Sequence, residues 1–361
     1  MRSAGRDRRA PRRTCGRTGP HAYPAFSTKE GSMTWLVTGG AGYIGSHVVR
    51  ALTEADLPVV VIDDLSTGLE QFVPESVPFV RGTLLDGALV EQTLREHAVA
   101  GVIHIAGFKY AGVSVQRPLH TYEQNVSAMV TLLQAMETVG VDKIVFSSSA
   151  ATFGTPDVDQ VDESTPTAPE SPYGETKLIG EWLLRDMGRA SGLRHTSLRY
   201  FNVVGSGSTA LFDTSPHNLF PLVFDMLYRG DTPRINGDDY PTPDGTCVRD
   251  YVDVGDVALA HVAAARRLTR GEPVEPVYNL GSGAGTSVRE IMTAIRTVTG
   301  VDFEPQIMPR RPGDPARIVA NGDLAARDLD WKMRHSLEDM VASAWAARQA
   351  AGAAYPGAGQ S

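Results

Sequence analysis

Tyr173-Gly-Glu-Thr-Lys177 sets a phenol and an ammonium four residues apart, which brings them to one face of a helix. A phenol with its ordinary pKa of ~10 must fall by about three pH units, worth ~4 kcal/mol, before it can act as a base at neutral pH. A neighbouring ammonium supplies part of that stabilisation by favouring the phenolate. The run Lys143-Ile-Val-Phe-Ser-Ser-Ser149 ends in three hydroxyls, and Ser149 is suited to hold the alcohol oxygen whose proton Tyr173 would take. Tyr173, Lys177 and Ser149 are therefore the candidate catalytic set, and its chemistry is proton exchange with an alcohol.

A cofactor cradle precedes them in the chain. Trp35-Leu-Val-Thr-Gly-Gly-Ala-Gly-Tyr-Ile-Gly45 reads as a buried strand, a glycine turn and the opening of a helix. Gly39 permits the turn, Gly42 lets a pyrophosphate approach the backbone, and Gly45 lets the helix lie close to the strand. The helix N-terminus, with roughly +0.5 charge, then faces the phosphates. Val59-Val-Val-Ile62 ends in Asp63, about twenty residues further on, where an acid accepts from an adenosine ribose and favours NAD over NADP. The positive ring of oxidised NAD would add to the effect of Lys177 on the phenol. Gly281-Ser-Gly-Ala-Gly285 also follows a strand, but its glycines alternate and no acid-ended strand comes after it, so no second dinucleotide site is expected.

The elements that must position these residues alternate. Helices are expected over Tyr43–Ala55, Gly87–His97, Pro118–Val139 (with Asn125 inside it) and Tyr173–Ala190. Strands are expected at Val59–Ile62, Val77–Val80, Gly101–Gly107, Lys143–Ser149 and Thr196–Arg199. This alternation predicts an α/β fold, a Rossmann-type doubly wound parallel sheet, with ligands beyond the strand C-termini. From Asn202 the pattern loosens into a smaller, loop-rich substrate domain. Helices are expected there at Leu219–Arg229, within Asp250–Arg267, and at Val288–Val298 and Leu337–Gln349. The loop Met308–Asp314 lies between the last two, and a strand at Val277–Leu280 is expected to rejoin the main sheet.

Composition bounds the function. The net charge is −8, but residues 1–32 carry eight Lys/Arg against two acids, which leaves −14 on the remainder. That body is not expected to bind nucleic acid. Cys15 and Cys247 form no disulfide framework and no Cys/His cluster, so a reducing compartment and no metal site are expected. No apolar run reaches the ~18 residues of a membrane span. Residues 1–32 read as a disordered basic extension or an upstream start before Met33, with some transit-peptide character.

At this point the sequence resembles the extended short-chain dehydrogenase/reductase superfamily, and within it the UDP-glucose 4-epimerase family. The resemblance rests on Thr38-Gly-Gly-Ala-Gly-Tyr-Ile-Gly-Ser-His47, His104-Ile-Ala-Gly-Phe-Lys109, Phe146-Ser-Ser-Ser149, Ser171-Pro-Tyr-Gly174, Leu198-Arg-Tyr-Phe-Asn202 and Tyr278-Asn-Leu-Gly281. Its most specific part is Asp239-Tyr-Pro-Thr-Pro-Asp-Gly-Thr-Cys-Val-Arg-Asp-Tyr251. The resemblance implies NAD contacts from Gly39, Gly42, Tyr43, Ile44, Gly45, Asp63, Lys109, Asn125, Tyr173, Lys177 and Tyr200. For a UDP-hexose it implies Ser149, Asn202, Asn218, Leu219, Arg249, Arg311 and Asp314, the arginines on the pyrophosphate and Asp314 on a ribose.

The same resemblance implies a cytoplasmic homodimer paired through the helices near 118–139 and 173–190. It assigns NAD to residues 33–201 and the sugar nucleotide to 202–361. The reaction it implies is oxidation and re-reduction at the sugar C4. Thr83, Asp64, Ala151-Thr152-Phe153 and Asn236 depart from the family pattern, which concerns affinity and substrate range. Ile318, four beyond Asp314, is expected beside the sugar C2 group. Its intermediate size predicts a preference for UDP-glucose and UDP-galactose over N-acetylated forms.

Two rivals are weaker. A dehydratase of the superfamily carries an acid just after the strand-five hydroxyl, whereas Ala150 and Ala151 follow Ser149 here. A non-catalytic NAD-binding protein has no need to keep Ser149, Tyr173 and Lys177 together.

Overall fold

The computed structural model describes Met1, residues 33–311 and residues 314–352. The basic segment expected to be disordered lies, Met1 apart, outside the described residues. Six strands come first: β1 (Thr34–Thr38), β2 (Val59–Asp63), β3 (Phe79–Arg81), β4 (Val99–His104), β5 (Lys143–Ser149) and β6 (Arg194–Tyr200). The short strands β7 (Asn202–Val204), β8 (Arg234–Asn236), β9 (Val248–Arg249) and β10 (Tyr251–Asp253) precede β11 (Val277–Leu280). Three more, β12 (Thr286–Ser287), β13 (Gln306–Met308) and β14 (Arg317–Ile318), follow.

The main sheet runs β11-β6-β5-β4-β1-β2-β3, and all its pairings are parallel. Since β1 lies between β2 and β4, the chain winds away from it in both directions. That reversal opens a crevice beyond the strand ends.

The helices are α1 (Tyr43–Glu54), α2 (Gly87–Glu96), α3 (Ala111–Gln116), α4 (Pro118–Tyr122), α5 (Ala128–Val139), α6 (Pro172–Ser191), α7 (Leu219–Arg229), α8 (Val254–Thr269), α9 (Val288–Thr299), α10 (Asp323–Leu329) and α11 (Leu337–Ala351). Alternate residues of each strand face opposite layers. Trp35 and Val37 of β1 join Val48, Leu52 and Val257 on the α1/α8 face. Leu36 joins Leu94, Met129 and Leu132 on the α2/α5 face. Each such side chain, fully buried, stabilises the fold by ~1.5–3 kcal/mol. A separate cluster of Phe220, Phe224, Ile291, Ile295 and Met340 holds α7, α9 and α11 together.

Local features around the site differ from the sequence expectation. Strand β4 stops at His104, because the amides of Ile105 and Ala106 both turn to the Thr38 carbonyl, at 3.2 and 3.0 Å. The single helix expected over Pro118–Val139 is α4 and α5 joined by a π-turn at Glu123–Ser127 that contains Asn125. Helix α3 was not anticipated; Arg117, restrained by the following Pro118, separates it from α4.

Candidate active site

The glycine loop leaves β1 and enters α1 with no room for side chains at two of its three spacing positions. Gly39 has φ +72°, and a Cβ on it would stand 2.7 Å from the Ala106 nitrogen. A Cβ on Gly45 would come within 2.0 Å of the Gly39 carbonyl oxygen. At Gly42 the nearest such contact is 3.3 Å, so glycine there leaves open backbone rather than relieving a clash. Asp63, at the end of β2, accepts from the amides of Ala41 (3.0 Å) and Leu65 (2.8 Å), so one carboxylate braces the loop and faces the crevice. Burial raises its pKa, and those two amides pull it back down.

Beyond β5 stands the candidate catalytic set. Ser171 caps α6 by accepting from the Gly174 amide at 3.2 Å, and Pro172 opens the helix, which sets Tyr173 in its first turn. One turn on, the Lys177 ammonium donates to the Ser147 carbonyl at 2.8 Å and lies 5.8 Å from the centre of the Tyr173 ring. Burial lowers the Lys177 pKa to about 8, against an opposing pull from Glu181.

Burial also raises the Tyr173 phenol, while the Ser149 hydroxyl lowers it. Desolvation within the protein thus outweighs the Ser149 hydrogen bond, and the phenol stands above its ordinary value. Ser149 also accepts from the Ala151 amide at 3.1 Å, so its hydroxyl caps a short turn and stays beside the phenol.

Each of the three serines ending β5 has its own partner. Ser147 bonds His261 Nε2 at 2.8 Å, and Ser148 donates to Glu181 at 2.5 Å. Glu181 forms a buried, two-pronged pair with Arg199 at 2.8 and 2.6 Å. Below Lys177, therefore, the Glu181 carboxylate is shared with a guanidinium.

A single cavity of about 860 Å³ joins these parts. It is lined by Gly39, Gly42, Tyr43, Ile44, Gly45 and Asp63 at one end. Lys109, Ser149, Tyr173, Lys177 and Tyr200 line its middle, and Asn202, Asn218, Leu219, Arg249, Arg311 and Asp314 its far end. The far end has the donors for a diphosphate and an acceptor for hydroxyls. Arg249, mostly buried, lies 3.6 Å from Asp314. Asn218, at the start of α7, donates to Asp213 at 2.6 Å.

Asn125 alone of the expected site residues does not line the cavity. Its amide accepts from Phe108 N at 2.6 Å and donates to Phe108 O and Thr176 Oγ1, so it pins the loop after β4 to α6. Ile318 is likewise set back, packed with Phe153, Val161 and Phe201, and of these Phe201 reaches the cavity. Sequence reasoning passed over Tyr110 and His217, whose rings meet edge to face at 4.8 Å across the cavity wall. They come from two irregular loops and carry no pattern of their own.

The second glycine run binds something internal. The amides of Ser282 and Gly283 donate to the buried Asp250 carboxylate at 2.7 and 3.2 Å, and Ala320 adds a third bond at 3.0 Å. The loop that resembled a phosphate cradle anchors the residue between Arg249 and Tyr251, two cavity-lining side chains.

A model of the NAD dependent epimerase/dehydratase family matches residues 35–281. A UDP-glucose 4-epimerase of Azospirillum brasilense is 44% identical over 314 residues, 86% of this chain and 90% of the relative. One of Lactobacillus helveticus is 42% identical over 87% of this chain and 96% of the relative. The crystal structure of a Stenotrophomonas maltophila UDP-glucose 4-epimerase with bound NAD and formylated UDP-arabinopyranose aligns with a TM-score of 0.85 at 39% identity, covering 89% of this chain and 99% of that one. A Bifidobacterium longum UDP-glucose 4-epimerase in complex with NAD+ and UDP aligns at 0.80 and 37% identity, over 88% and 98%.

Proposed function

The chain belongs to the NAD dependent epimerase/dehydratase family, and from that premise we propose that it interconverts UDP-glucose and UDP-galactose by oxidation at C4, rotation of the 4-keto sugar and re-reduction. The observation that carries this reading is the single cavity running from the glycine loop past Tyr173 to Arg249 and Arg311. The residues at its first end fit NAD, since Gly39 and Gly45 have no space for a Cβ and Asp63 faces the crevice. When bound there, NAD supplies the acceptor and donor of hydride.

The chain's own groups do the rest. Tyr173 takes the proton from the C4 hydroxyl and returns it, Ser149 holds the same oxygen, and Lys177 stabilises the phenolate. Arg249 and Arg311 fix the diphosphate, Asp314 accepts from ribose hydroxyls, and Asn202, Asn218 and Leu219 complete the nucleotide end. Holding the nucleotide while leaving the sugar loose permits the turn between half-reactions. Lys109 and Tyr200 border the cofactor, and Asn125 acts behind them through Phe108.

In this reading residues 33–201 serve mainly the cofactor and residues 202–361 the sugar nucleotide. The enzyme works as a cytoplasmic homodimer paired through the helices near 118–139 and 173–190, which are α4, α5 and α6. Support for that pairing comes from Val115, Leu119 and Trp182, large apolar side chains that are 61%, 86% and 47% exposed. Among the described residues no helix is long and apolar enough to cross a membrane. Cys247 is a buried free thiol, in keeping with a reducing compartment.

Deuterium at C4 of UDP-galactose tests the reaction. It should reappear at C4 of UDP-glucose without solvent exchange and without net NADH. Label delivered to C6 with loss of water would mean a dehydratase, and stoichiometric NADH release a dehydrogenase.

A further inference from the structure

Asn236 ends β8, half-buried, at the position where the sequence departs from an aromatic residue. Parallel pairing sets it beside Met308 of β13, and the Gly237 amide donates to the Met308 carbonyl at 2.7 Å. This fixes the chain that carries Arg310 and Arg311 against Asn236. The two arginines then part. Arg310 turns to Asp239 at 2.5 Å and lies 4.1 Å over the Tyr240 ring. Arg311 turns into the cavity, with Nε and Nη2 facing the Asn236 amide at 3.1 and 3.2 Å. With the amide oxygen on that side, one carbonyl accepts from both; the opposite setting would press donors against donors.

We propose that Asn236 is a positioning residue that holds the Arg311 guanidinium for the nucleotide phosphates without neutralising its charge. The inference rests on the sugar-nucleotide reading of the cavity. Arg311 is exposed, and an exposed arginine has considerable rotamer freedom to lose before it can bind. Asn236 removes part of that freedom beforehand, which lowers the cost of binding. The neutrality of the anchor is the second half of the argument. Arg310 is committed to the carboxylate of Asp239, and Arg249 stands beside that of Asp314. An amide carbonyl holds the Nε/Nη2 edge by hydrogen bonds alone, so the full positive charge and the remaining N–H groups stay available to a diphosphate.

The test is UDP binding to the full-length, NAD-loaded protein by calorimetry, with thermal midpoints recorded alongside. Asn236→Leu should weaken UDP by about three- to tenfold, the range of an ordinary hydrogen bond. Asn236→Asp keeps the shape and the anchor but adds a negative charge; it should bind UDP more weakly than wild type and with a smaller salt dependence. In an Arg311→Leu background, Asn236→Leu should cost nothing further. An equal loss from Asn236→Leu in both backgrounds would overturn the proposal, since Asn236 would then act on the nucleotide directly or on the fold. Tighter binding by Asn236→Asp would overturn it too. A wild-type protein that binds no UDP would instead remove the sugar-nucleotide reading itself.

Discussion

Replacing Lys177 by Met keeps most of the buried stem and removes the charge. The ammonium lies 5.8 Å from the Tyr173 ring centre. A phenolate shares its charge between the ring and its oxygen, and unit charges ~6 Å apart interact by ~3 kcal/mol at an effective dielectric of ~20. That corresponds to about two pH units in the basicity of the phenol. Lys177→Met should therefore need a medium about two pH units more alkaline to reach the same fraction of phenolate. Near neutral pH, where that fraction limits the rate, turnover of UDP-galactose should fall ~100-fold.

Stability should not fall in parallel. Burial holds the Lys177 pKa down to about 8, so at neutral pH the fold carries the cost of a buried ammonium that Met would not impose. The lost bond to the Ser147 carbonyl offsets this by ~1 kcal/mol. Turnover measured from about pH 6 to about pH 9, with thermal midpoints, separates the two effects. Wild-type activity should also decline above about pH 8 as Lys177 loses its proton, a limb the variant should lack. A variant whose rate is lowered but whose profile matches the wild type would refute the electrostatic argument and leave Lys177 a steric role.

Tyr173→Phe should fold and retain NAD yet lose about 10²–10⁴-fold in turnover, the range of general acid–base catalysis; near-normal turnover would exclude the phenol from the reaction. Ile318 acts on the cavity through Phe201, and UDP-glucose should remain a better substrate than UDP-N-acetylglucosamine; a higher kcat/KM for the N-acetylated sugar would contradict that. His335 lies 3.0 Å from Asp256 and 3.4 Å from Asp253, and the hydrogen bond to Asp256 leads in raising its pKa above the ordinary 6.5. Its stabilisation is full below that ordinary value and is lost as pH rises through the raised one. The thermal midpoint should therefore drop across that window, and His335→Gln should flatten the drop; an unchanged slope in the variant would show that other groups cause it.

Local chemistry explains what was legible in the sequence. Gly39 and Gly45 could be read because the turn into α1 has no space for a Cβ at either, Gly42 because the backbone there is left open to a ligand, and Asp63 because a strand that ends beside that turn must present its last side chain there. Tyr173 and Lys177 were readable as a pair because helical geometry fixes an i, i+4 relation without help from the rest of the fold. What those groups would feel was not readable. The sequence reading has Lys177 and the ring of bound NAD depress the phenol; the upward push from enclosure between β5 and α6 is a separate contribution that no motif states, because desolvation depends on every neighbour and not on the partner alone.

Tertiary contacts also decided the remaining roles. Asn125 looked like one residue of a long helix, yet a π-turn and two distant partners set it behind the cavity wall. The spacing of the glycines at 281–285 excludes a dinucleotide site, but that they hold Asp250 as an internal anion was decided by the fold. Asn236 and Arg311 are seventy-five positions apart and meet only because β8 pairs with β13. Motifs are short-range, set by backbone geometry within a turn or two, whereas burial and partnership are set by what the packed chain brings from far away.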